Sequence, residues 1–130
     1  MKIKVLLYPT IIANVLLALV MFSAVGCMKT AVIHPGAINQ TDSTIYDALL
    51  SAQAAIEQAK MQAGPTPSPA IKTALNTTIA AYNVAEASYK TYHSLAASGG
   101  TPDATQLQQQ VAMVISDIAA LVTQIKGVVK

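Results

Sequence analysis

The chain has 130 residues, 53% hydrophobic and 11% charged, with a single cysteine, no tryptophan and no arginine; that is length for one domain, without disulfide staples. The formal charge of +2 belongs to Lys2 and Lys4. Without them Lys29, Lys60, Lys72, Lys90, Lys126 and Lys130 balance Asp42, Asp47, Glu57, Glu86, Asp103 and Asp117, so no basic footprint calls for nucleic acid.

The N-terminal segment reads in three parts. Met1-Lys2-Ile3-Lys4 is a cationic start, Val15-Leu16-Leu17-Ala18-Leu19-Val20-Met21-Phe22 an unbroken apolar run, and Ser23-Ala24-Val25-Gly26 a stretch of mostly small residues leading into Cys27. Positive, apolar and small, in that order, is the layout of an export signal. It predicts a signal helix over residues 1–26, and it inflates the mean hydropathy of +0.47. An uncleaved transmembrane helix is the competing reading. Val5 to Gly26 is long enough to cross a bilayer of about 30 Å at about 1.5 Å per residue, but Pro9 and Asn14 interrupt it.

Ala24-Val25-Gly26-Cys27 resembles the lipobox of bacterial lipoproteins, in which Leu, then Ala or Ser, then Gly or Ala precede the cysteine. Ala24 stands where that family prefers Leu. The resemblance implies a diacylglycerol on the Cys27 sulfur, cleavage between Gly26 and Cys27, and acylation, such as a palmitate, on the new amine. A thiolate is the natural nucleophile for such a transfer, and several acyl chains anchor a protein where one holds it only marginally. Membrane attachment through Cys27 therefore follows as an expectation. Met28, in place of an aspartate, resembles the class sorted to the outer membrane, facing the periplasm or the cell surface.

Residues 27–41 carry no sustained periodicity and include Pro35-Gly36, so they read as the lipid-bearing cysteine and a flexible tether. Fully extended, 28–41 would reach roughly 45 Å. Three helices are predicted in 42–130, at about 43–63, 69–97 and 102–128. The first has N-cap candidates in Asp42, Ser43 and Thr44, a seam of Ile45, Leu49, Ala52, Ile56, Ala59 and Ala63, and a stop at Gly64-Pro65-Thr66-Pro67. The second opens on Ser68-Pro69, a cap with proline at the first helical position. Its seam is Ile71, Leu75, Thr78, Tyr82, Ala85, Tyr89, Tyr92 and Ala96, before Ser98-Gly99-Gly100. The third opens on Thr101-Pro102 and runs Leu107, Val111, Val114, Ile118, Leu121, Ile125 and Val128, with a second stripe at Ile115, Val122 and Val129.

Alternating steps of four and three are the pattern of left-handed bundle packing. Short loops between neighbours predict an all-α, antiparallel up-down-up three-helix bundle, its third helix touching both others. The faces left outward carry so little charge that self-association is open to the bundle.

Candidate sites are few. His34 lies in the tether and His93 near the end of the second helix, and neither has companions at metal-ligand spacing. His93 reads as a partly exposed residue favoured by the helix C-terminal dipole. Tyr82, Tyr89 and Tyr92, with Tyr46 beside them, form an aromatic stripe. It reads as core packing first, and otherwise as an interhelical seam for a small apolar ligand. Gln106, Gln108, Gln109 and Gln110 read as a solvated face. The sequons at Asn39 and Asn76 are chance-level matches.

A lipid-ready cysteine, a helical body and the terminal Lys130 resemble the small murein lipoprotein family, and that resemblance implies a covalent bond from Lys130 to peptidoglycan. The proline-broken helices depart from that family's single continuous helix. With no cofactor motif and no reactive constellation, the expectation is a non-enzymatic, membrane-anchored envelope lipoprotein, structural or partner-binding. Its expected partners are an envelope protein or peptidoglycan; the carrier using the tyrosine seam is the alternative.

Overall fold

The computed structural model describes residues 33–128; the expected signal over 1–26, Cys27, Val129 and Lys130 lie outside the described residues. The described chain is all-α. Three helices follow one another: α1 Gln40–Ala63, α2 Pro69–Ala97 and α3 Thr105–Val128. Each packs on both of the others.

Each helix start follows from a side chain that accepts an orphan amide. Asn39, extended at φ −152° and ψ 177°, caps α1: its Oδ1 accepts from the Asp42 amide at 2.9 Å. The helix therefore starts at Gln40, three residues ahead of the expected 43, because Asn39 takes the capping role assigned to Asp42, Ser43 or Thr44. Ser68 caps α2 through Oγ, with Pro69 at the first position. At α3 the carboxylate of Asp103 accepts from both the Thr105 amide at 2.9 Å and its hydroxyl at 2.7 Å. Pro102 thus stays in the loop, and the helix starts at Thr105 instead of 102.

The ends are set by glycines in the left-handed region, Gly64 at φ +74° and Gly99 at φ +84°. At Gly99 the arrangement is a full Schellman motif. Gly99 donates to the Ala96 carbonyl at 3.1 Å and Gly100 to the Leu95 carbonyl at 3.0 Å.

The predicted seams bury. Ile45, Leu49, Ala52 and Ile56 of α1, Ala85 and Tyr92 of α2, and Leu107, Val111, Val114 and Ile118 of α3 form the main core. Ala59, Ile71, Leu121 and Ile125 close a second, smaller one. Ile115 and Val122, the second stripe of α3, lie half-buried against the main core. Of the predicted seam positions among the described residues, Val128 is the exposed one. α3 has 24 residues, and an 18-residue stretch of it reaches a mean hydropathy of 1.6, apolar enough to cross a bilayer, but six of its apolar side chains are buried among the helices. Central core position explains that composition equally well.

Candidate functional site

Within the stretch expected as tether, residues 33–39 are bonded to the start of α1. The His34 amide donates to Ser43 Oγ at 2.8 Å, and the Ile38 amide to Asp42 Oδ2 at 2.9 Å. A turn closed by Ala37 donating to the His34 carbonyl at 2.9 Å brings the two strands of this hook together. Asp42 and Ser43, polar residues of the first helical turns, are thereby buried at 0% and 1% exposure. A buried carboxylate requires partners, and Asp42 finds its second one on another helix. Its two oxygens stand 3.1 and 2.9 Å from Nδ1 of His93, 51 residues away on α2.

An ionised carboxylate only accepts, so Nδ1 of His93 is the donor in its contact with Asp42. The ring lies at the surface, with 37% of its side chain exposed. Around this pair runs an aromatic chain. His34 lies 4.5 Å from Tyr46 between ring centroids, Tyr46 6.0 Å from Tyr89, and Tyr89 5.8 Å from His93, every pair tilted. Three chain segments are thus joined by one cluster: the hook, the start of α1 and the end of α2.

The tyrosine stripe divides in the structure. Tyr92 is a buried member of the main core, while Tyr82 and Tyr89 lie half-buried against it. Burial, and after it the nearby Asp42 carboxylate, pushes the Tyr89 phenol up to about 12. Burial and then Glu86 raise Tyr82 as well. Both rings stay neutral hydroxyls at physiological pH.

His93 is oriented by a carboxylate as a general base would be. Ser43, next to Asp42 in sequence, is buried and already accepts the His34 amide. Among the described residues no group of three or more His, Cys, Asp and Glu side chains gathers to hold a metal ion. The cluster fastens the hook to the start of α1 and the end of α2. Along the chain His93 reads only as a residue favoured by the helix dipole and Asp42 only as a cap candidate. The available signal was Asn39-Gln40-Thr41-Asp42, a cap followed three residues later by a carboxylate. Gln106, Gln108 and Gln109 are exposed as expected, while Gln110 turns partly inward.

No family model matches the chain, and no curated protein or solved structure matches it.

Proposed function

We propose that the chain is the precursor of a non-enzymatic, lipid-anchored lipoprotein of the bacterial envelope, whose mature body is a structural or partner-binding helical bundle. The observation that carries this reading is Ala24-Val25-Gly26-Cys27 at the end of an apolar run that begins after a cationic start. It also accounts for the one cysteine of an otherwise cysteine-free chain, as the lipid acceptor. Met28 following it supports an outer-membrane destination.

An antiparallel, up-down-up course of the helices is supported by contacts at both ends. Asp42 at the start of α1 meets His93 near the end of α2. Ala59 near the end of α1, Ile71 at the start of α2 and Ile125 near the end of α3 share the smaller core. In this reading the hook at residues 33–39 passes tension from the lipid anchor into two helices at once, through Asp42 and His93.

Expression in an envelope-bearing bacterium tests the anchor. Wild-type chain is expected in the membrane fraction in a processed, shortened form, and Cys27→Ala is expected to accumulate at full length. Processing of Cys27→Ala to the same size as wild type would contradict the reading.

A further inference from the structure

Charge is unevenly spread along the bundle. Among the described residues, three of the four lysines, Lys60, Lys72 and Lys126, gather at one end, with Glu57 as the one carboxylate beside them. Lys60 and Lys126 occupy the last turns of α1 and α3, and Lys72 the first turn of α2. These turns meet, because each lysine directly follows a residue of the smaller core, Ala59, Ile125 or Ile71. Asp42, Asp47, Glu86, Asp103 and Asp117 are spread over the rest of the described bundle, where Lys90 is the one lysine.

Helix dipoles explain only part of this segregation. A cation is favoured in the last turn of a helix, where Lys60 and Lys126 stand, and disfavoured in the first, where Lys72 stands. Lys60 is paired with Glu57 at 2.7 Å, whereas Lys72 and Lys126 enter no ion pair among the described residues. The same end carries the two most exposed large apolar side chains, Met61 at 74% and Val128 at 60%. Met61 directly follows Lys60, and Val128 lies one turn after Ile125. Leu50, Val84, Leu95 and Met113 are exposed as well, but with only Lys90 outside the cluster none of them stands among lysines.

We propose that this end, through Lys60, Lys72, Lys126, Met61 and Val128, docks on the surface of an anionic phospholipid bilayer. Lysines at such a surface meet lipid phosphates, each strengthening binding about fivefold. Met61 and Val128 enter the boundary between headgroups and acyl chains. A polyanion dissolved in water, such as a nucleic acid, offers those two side chains no apolar layer, so the mixture selects the bilayer. The contact is reversible, and salt screens its ionic part. It goes beyond the envelope reading and uses only residues of the described bundle, so it stands or falls apart from the anchor at Cys27.

Amine reactivity tests this on the full chain with an internal control. The protein is incubated with an excess of vesicles, either of phosphatidylcholine or of phosphatidylcholine and phosphatidylglycerol in equal parts, and treated briefly with a water-soluble amine-acylating reagent. Peptide masses then report the modification of each lysine. With phosphatidylglycerol present, Lys72 and Lys126 are expected to react several-fold more slowly than in phosphatidylcholine, and Lys90 equally fast in both. High salt is expected to restore Lys72 and Lys126. A double variant, Met61→Ser with Val128→Ser, is expected to lose much of the protection, both positions being exposed and so tolerant of the change. Equal reactivity of Lys72 and Lys126 in the two kinds of vesicle overturns the docking. Slowing of Lys90 to the same extent overturns its assignment to this end. Protection that the double variant keeps in full overturns the bilayer in favour of a soluble polyanion.

Discussion

Asp42 joins three parts of the chain through one side chain and its own amide. It accepts from Ile38 and from His93, while its backbone amide serves the Asn39 cap. Removing the carboxylate, itself fully buried, leaves the His93 Nδ1 donor and the Ile38 amide without their acceptor. Hydrogen bonds to a charged group are each worth about 1.5–3 kcal/mol, less where one partner is at the surface as His93 is. Asp42→Ala should therefore destabilise the bundle by about 2–4 kcal/mol, read as a lower urea midpoint with an unchanged slope. Tyr89 supplies a pH dependence at the same joint. Its phenol sits at about 12 in the fold against about 10 in an unfolded chain. The unfolded state thus releases the proton first, and the stability that the neutral ring contributes is complete below pH 10 and fades toward pH 12. A phenolate absorbance titration should show late-ionising tyrosine absorbance, to which Tyr82 also contributes, that Tyr89→Phe reduces, and the variant's stability should fall less over that alkaline window.

The helices themselves end where local chemistry stops them. Gly99, at φ +84°, lets two amides close on the carbonyls of Leu95 and Ala96. Gly99→Ala forces a Cβ into the left-handed region and should cost about 1 kcal/mol, visible as a lower thermal midpoint with unchanged helix content. The seams of all three helices were legible because steps of three and four place Ile45, Ile56, Val111 or Leu121 on one face whatever the partner is. The start of α1 was less legible. Three cap-competent residues in a row, Asp42, Ser43 and Thr44, masked the earlier Asn39, and only tertiary contact with His93 explains why Asp42 lies inside the fold. Pro102 misled in the same way: it fits a first helical position, but Asp103 captures the Thr105 amide and starts α3 later.

At the scale of the molecule, α3 contributes Leu107, Val111, Val114 and Ile118 to the larger core and Leu121 and Ile125 to the smaller one, so it links the two along the bundle. Its composition reflects that position. The polar joint of Asp42, His93, Tyr89, Tyr46 and His34 was invisible to a reading along the chain, since its members are spread from residue 34 to residue 93 and meet only through folding. The same joint fixes residues 33–39 to the bundle. The intact mass of the protein extracted from membranes tests the proposed anchor at Cys27 most directly. A mature chain that begins at Cys27 and carries diacylglycerol is the expected result. An unmodified chain still beginning at Met1 would contradict it.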